Sequence, residues 1–308
     1  MLIQALYNIV DSYFVGQYSN SGLTALSVIF PVQLIITAIA VGTGVGVNTY
    51  MARMYAFGKK RAADCTAGTG MVLAVISWAV FAAAALLLME PYVRSSATSS
   101  GAVADAVLYG NIVCVGSLGI FLESIWTKVH QAGGNMRLPM LAQIAGALTN
   151  IVLDPILIFG LGPVPRMGIA GAAIATVVGQ CVAAVITGIS GFRRPPKPVV
   201  MRKYVRQIYR LGYPSIFMQM LYTVYIMALN MILAGFSDDA VTVLGLYCCS
   251  SPFSSSRSTD QTCIVPILSY NFACLAYDRC KRSCTTPVGS HWSLCWWAWS
   301  ALSASRAA

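Results

Sequence analysis

Apolar runs long enough to cross a bilayer recur along this chain, and they restrict its fold more than any other feature. They fall at 22–47, 66–89, 105–128, 138–160, 168–191 and 213–236, with a shorter run at 1–18. A spanning helix needs about 20 apolar residues, and hydrocarbon demands that every backbone polar group be satisfied internally. The expected fold is therefore all-α, a polytopic membrane helix bundle. Only 10% of the residues are charged, against about 25% in soluble domains. The run at 1–18 has no basic leader and no small-residue cleavage site, so it does not read as a secretory signal. It reads as the outer part of a spanning helix that begins upstream of Met1.

The net charge of +10 would suit nucleic acid, but its distribution argues against that partner. Basic residues gather in alternate loops: Arg53, Lys59, Lys60 and Arg61; Lys128 and Arg137; Arg193, Arg194, Lys197, Arg202, Lys203, Arg206 and Arg210; Arg279, Lys281 and Arg282. The loops between them hold only Arg94 and Arg166, beside Glu90, Asp105, Asp238 and Asp239. This alternation is the positive-inside pattern, and it sends the first helix from the cytoplasm outward. The cluster at 193–210 is expected to face the anionic headgroups of the bilayer.

The chain divides at Gly191-Phe192-Arg193-Arg194-Pro195-Pro196-Lys197-Pro198, which cannot continue a membrane helix. The expected division is a six-helix lobe over 1–190 and a basic cytoplasmic linker over 191–212. A partial second lobe over 213–283 and an anomalous tail over 284–308 follow. Within the linker, Met201 to Leu211 reads as a short amphipathic helix, and Gly212-Tyr213-Pro214 opens the next span. A repeat is visible: Gly16 to Leu26 (GQYSNSGLTAL) is echoed by Gly235 to Leu244 (GFSDDAVTVL), each carrying Thr-x-Leu after an apolar run. Internal repeats of this kind build many transporters. Where the repeat calls for an apolar helix, Cys248 to Asp260 supplies CCSSPFSSSRSTD. A shifted reading frame near Tyr247, and another near Ser283, would account for that segment and for the Trp-rich tail. The alternative is a genuine polar loop.

Against this apolar background the acids stand out. An ionised carboxylate in hydrocarbon costs about 3 kcal/mol or more, so such residues face a polar interior and mark ion or substrate paths. Asp154 lies in an apolar stretch with Asn150 one turn before it. Asp11 stands five residues before Gly16, and Asp154 six before Gly160. At about 1.5 Å per residue both acids sit roughly 8–9 Å below an outer helix end, level with each other. Oxygen-rich sites of this type suit Na⁺, and neighbouring carboxylates suit a shared proton. The competing reading makes Asp154 the cap of a helix broken by Pro155, and Asp11 an interfacial residue. Glu123 lies nearer the cytoplasmic end and is expected to snorkel toward Lys128. Gly42, Gly44 and Gly46 sit inside an apolar helix and read as helix-contact positions rather than a nucleotide loop. Asn8, Gln33, Met218 and Tyr222 are candidates for a substrate cavity. No Ser-His-Asp or Cys-His set and no zinc spacing is present, so neither an enzyme nor a cofactor is expected.

In order along the chain, Tyr7-Asn8-Ile9-Val10-Asp11 with Phe14-Val15-Gly16, Gln131-Ala132-Gly133-Gly134-Asn135 before Pro139, Asn150-x-x-x-Asp154-Pro155, Gly168-Ile169-Ala170-Gly171-Ala172-Ala173, Gly212-Tyr213-Pro214 and Pro266-Ile267-Leu268-Ser269-Tyr270-Asn271 resemble a MATE transporter (multidrug and toxic compound extrusion) of the prokaryotic DinF-like kind. The resemblance covers about 1–246 and resumes over 261–282. It implies twelve helices in two lobes and export of small organic cations against inward Na⁺ or H⁺ in the cytoplasmic membrane. It also implies a monomer and a first-lobe cation site at Asp11, Asn150 and Asp154, with Thr176 a looser match. A lipid-linked oligosaccharide flippase of the same architecture and a nonfunctional truncated product are the rival readings.

Overall fold

The computed structural model describes residues 2–96, 100–160, 165–237, 239–245, 266–274, 276 and 279. The anomalous segment 248–260 and the tail 284–308 lie outside the described residues. The elements are α1 (Leu2–Tyr18), α2 (Asn20–Ala56), α3 (Lys60–Ser96), α4 (Ser100–Gly116), α5 (Leu118–Ala132), α6 (Arg137–Phe159), α7 (Ile169–Gly191) and α8 (Pro198–Ala234). Residues 239–245 are also helical. Five helices are long and apolar enough to cross a membrane, and α4 with α5 makes a further span bent by 43°. The bend falls at Gly116-Ser117, a pairing that commonly kinks helices. The all-α membrane bundle expected from the apolar runs is the observed fold.

Contacts between helix ends support the charge topology. At one end, Arg193 pairs with Asp64 at 3.1 Å, the Arg194 backbone lies over Gly68, and His130 meets the Thr187 carbonyl at 3.0 Å. Most of the basic loops therefore share this end. At the other, Ser21 donates to Asp105 at 2.9 Å and Tyr18 lies against Gly168.

Small residues set the spacing between helices. Association within lipid relies on close backbone approach rather than on a hydrophobic drive. The buried face of α7 accordingly reads Gly171, Ala172, Ala175, Thr176, Gly179 and Ala183. A Cβ added at Gly179 would stand 2.7 Å from the Gly146 carbonyl oxygen of α6, and one at Gly146 would stand 2.7 Å from that of Gly179. The glycines of α2 act as the sequence suggests: Gly42 and Gly46 face Ile216 and Ile208 of α8, and Gly44 faces Lys128 and Ser124 of α5.

Prolines inside α2, α3, α6 and α8 leave those helices continuous. Membrane helices tolerate them when neighbours satisfy the freed backbone groups. Tyr92 of α3 donates to the Val28 carbonyl of α2 at 2.9 Å, next to the Ser27 carbonyl that Pro31 leaves without its helical donor. Two expectations change for this reason. The separate amphipathic helix at 201–211 does not exist: α8 runs unbroken through Gly212-Tyr213-Pro214 for 37 residues, because Gly212 packs on the Gly42 carbonyl and holds the rod in place. Nor is Asp154 a helix cap, since α6 continues past Pro155 and ends at Gly160 in the left-handed conformation, φ 71 and ψ 49.

Candidate functional site

The α6–α7 crossing at Gly146 and Gly179 brings Asn150, one turn along α6, opposite Thr176, one turn back along α7. The Asn150 amide satisfies both neighbours when its nitrogen donates to Asp154 Oδ2 at 3.2 Å and its oxygen accepts the Thr176 backbone N–H at 3.2 Å. This orientation follows from the bonding pattern. Asp154 is wholly inaccessible to solvent and Asn150 is 2% exposed.

Asp11 comes to the same place on α1, which packs along α6. It is 4% exposed, it lies within range of the Asp154 charge, and its Oδ1 is buried without a hydrogen-bond partner. A buried carboxylate oxygen with no donor is expensive, and a proton or a small cation would satisfy it. The structure thus gathers Asp11, Asn150, Asp154 and Thr176, the set the sequence selects.

Two residues join them that sequence reasoning placed elsewhere or passed over. Tyr109 of α4 is buried. Its hydroxyl accepts from Gln33 Nε2 of α2 at 3.2 Å, bonds with Thr176 and lies near Asp11. Gln33, expected in a substrate cavity, is tied to Tyr109 by this bond beside the acid site. Its neighbour Tyr109 carried no signal beyond an aromatic inside an apolar helix, which looks like packing.

The second is Glu123. A cavity of about 80 Å³ opens between α5, α6 and α7, lined by Glu123, Gln143, Asn150, Thr176 and Gln180 among others. Glu123 accepts from Thr127 Oγ1 at 2.8 Å and bonds with Gln143. Lys128 instead donates to Gln131 at 2.9 Å. Glu123 lines the cavity while remaining within reach of the Lys128 charge, and the Lys128 stem lies against Gly44 on the α2 side.

The remaining cavity candidates lie apart. Asn8 is half-buried one turn from Asp11, and its backbone carbonyl accepts from Ser12. Met218 and Tyr222 are 61% and 43% exposed on α8 and do not line the acid site. No cluster of three His, Cys, Asp or Glu side chains suited to a metal ion occurs among the described residues.

Comparison with known proteins places these features. The sequence profile of the MatE family matches residues 1–156. An FAD transporter of Shewanella oneidensis is 33% identical over 185 residues, covering 59% of this chain and 40% of that protein. The multidrug export protein MepA of Staphylococcus saprophyticus is 24% identical over 290 residues, covering 88% and 61%. Among solved structures, the inward-facing conformation of a multidrug resistance MATE family transporter of the MOP superfamily matches with a TM-score of 0.72 at 27% identity. That match covers 89% of this chain and 61% of that one. The chain thus spans roughly half the length of the curated relatives it matches.

Proposed function

The chain belongs to the MatE family, a family of multi-pass membrane transporters, and from that premise we propose that it serves ion-coupled export of small organic cations across the cytoplasmic membrane. The coupling ion is Na⁺ or H⁺, and it occupies Asp11 and Asp154 with Asn150 and Thr176 beside them. No organic cofactor enters the scheme, because the ion gradient supplies the energy. The chain works as a monomer, with residues 1–190 as its first lobe, 191–212 as the basic connection and 213–283 as the opening of a second lobe. Its basic surface at 193–210 rests on anionic headgroups.

The observation that carries this reading is the unpartnered Asp11 Oδ1 beside Asp154. When the ion leaves, two buried like charges face each other, and the lobe is driven toward a state that relieves them. When an ion binds, that drive is removed. A ligand shifts such an equilibrium only by its differential affinity for the two states, so the export step must coincide with a change in occupancy of this pair. Efflux of a fluorescent organic cation from proteoliposomes under a Na⁺ or pH gradient tests the proposal. Asp154→Asn should abolish gradient-driven efflux. Undiminished efflux in that variant refutes it.

A second reading concerns the cargo. One relative is an FAD transporter, and α8 carries an open pocket of about 830 Å³ lined by Arg202, Lys203, Arg206, Gln207 and Arg210. That lining would receive a phosphate-bearing cargo at the cytoplasmic face. Competition between FAD and the cationic dye in the same liposomes separates the two cargo classes. A flippase for lipid-linked sugar phosphates is less favoured, because the cavity beside Asp154 presents a carboxylate and amides rather than cations.

A further inference from the structure

The pocket between α5, α6 and α7 continues inward from the acid site, and nothing in the export scheme uses its far end. On α6 its lining runs from Asn150 back to Gln143, and on α7 from Thr176 on to Ala183. Each is seven residues, about 10 Å of helix. Both stretches head toward the end of the bundle where the basic loops gather. The outer end touches the Asp11–Asp154 site through Asn150 and Thr176. The inner end holds Glu123, bonded by Thr127 and Gln143, and Gln180, whose Oε1 is buried without a partner.

Size decides what this space can hold. At about 80 Å³ it is far below the roughly 300–1,000 Å³ of pockets for drug-sized ligands. It has room for a small ion with a few waters, each needing about 10–15 Å³ of such space. Charge narrows the choice further. One carboxylate with amide oxygens from Gln143 and Gln180 offers a single negative charge, which matches a monovalent cation.

We infer that Glu123, Gln143 and Gln180 form a second cation station on the cytoplasmic side of the Asp11–Asp154 site, through which Na⁺ or a hydrated proton passes between that site and the cell interior. The inference rests on the reading of Asp11 and Asp154 as the coupling site. The other titratable or charged groups around Glu123 are Lys128 on its own helix, Tyr7 of α1 across the pocket, and Asp154 of α6 behind Asn150. From α7 the pocket receives Thr176 and Gln180, neither of which titrates. In this arrangement Asn150 separates the two stations, its nitrogen donating to Asp154 and its oxygen turned to the Thr176 backbone N–H, so an ion leaving Asp154 passes this amide before it meets the Glu123 carboxylate.

The test is infrared difference spectroscopy of the purified full chain in lipid nanodiscs, following carboxylate bands after a Na⁺ jump and, separately, after a pH jump. Glu123→Gln should remove one carboxylate component and slow the response of the remaining acids by about tenfold or more, a barrier of the size a lost charged stepping point creates. Gln180→Leu, which alters no charge, should slow the response in the same direction and guards against a folding defect in the first variant. Asp154→Asn should leave the Glu123 component in place. If Glu123→Gln and Gln180→Leu change neither amplitude nor rate while Asp154→Asn abolishes the response, the second station is wrong and the Asp11–Asp154 reading stands. If Asp154→Asn has no effect while Glu123→Gln abolishes the response, the coupling site itself is wrong, and so is a path leading from it. A wild-type chain insensitive to both jumps overturns both.

Discussion

Thr24 Oγ1 of α2 and Thr242 Oγ1 of the helical segment 239–245 lie 2.9 Å apart. They hold the same place in the two copies of the repeat, each opening Thr-x-Leu after a glycine turn. Ser27 extends the contact, donating to the Thr242 carbonyl at 3.4 Å. The two copies of the sequence repeat therefore meet through equivalent residues at this end of α2.

That contact is directly checkable. In a background with the natural cysteines replaced by serine, the pair Thr24→Cys and Thr242→Cys should form a disulfide under mild oxidation. Such a bond needs Cβ atoms about 4 Å apart. Mass spectrometry of the cross-linked peptides reads the result. Pairing Thr24→Cys with Val243→Cys, one position along the helix, should give much less product.

Competition between ions at the acid site gives a pH dependence with a definite sign. In the proposed scheme Na⁺ binds the ionised form of Asp11 and Asp154, and protons compete for the same oxygens. Apparent Na⁺ affinity should therefore weaken steadily as pH falls, and Asp154→Asn should flatten the profile. Equilibrium binding of radioactive Na⁺ across a pH series provides the measurement. A Na⁺ affinity independent of pH in the wild type would be incompatible with a shared site.

The crossing of α6 and α7 has no spare room. Gly179→Val places carbon where the Gly146 carbonyl already stands, and the helices must part to admit it. Overpacking of this kind costs about 1–3 kcal/mol. Thermal unfolding in detergent should show a lower midpoint. Ion binding should weaken as well, because Asn150 and Thr176 are carried apart by the same movement. Val185→Ala, at an exposed position of α7, should leave both unchanged.

Tyr109→Phe removes one hydroxyl and leaves the Gln33 amide without its acceptor. The loss should be about 1 kcal/mol of stability, visible as a lower midpoint in the same unfolding assay. If Tyr109 also orients Thr176 toward Asn150, Na⁺ affinity should fall together with stability. A stability loss alone would confine Tyr109 to a packing role.

The spans and three of the residues gathered around Asp154 were legible because lipid makes polar residues expensive, while Thr176 came only through the family resemblance. Asp11, Asn150 and Asp154 stand out against apolar neighbours, and basic residues report which loops stay inside. Gly42, Gly44 and Gly46 were legible for the same reason, small residues in hydrocarbon being contact points. Tyr109 was not, since its ring looks like packing and its hydroxyl acquires meaning only when α2 and α7 close around it. In sequence Glu123 reads toward Lys128, whose charge does reach it, and its place on the cavity wall emerges only once α6 and α7 close on α5. Continuity through Gly212-Tyr213-Pro214 was hidden for another reason. In water this tripeptide ends helices, but here Gly212 is pressed on Gly42 and the rod survives.

The unbroken course of α8 has a mechanical meaning. A joint at Gly212 would let the surface-lying turns and the bundle-crossing turns tilt independently. With no joint, the arginine-bearing end and the far end form one continuous rod, held on α2 at Ile208, Gly212 and Ile216. The arginines and the apolar turns about 40 Å away, roughly 26 residues up the rod, are thus parts of one rigid element.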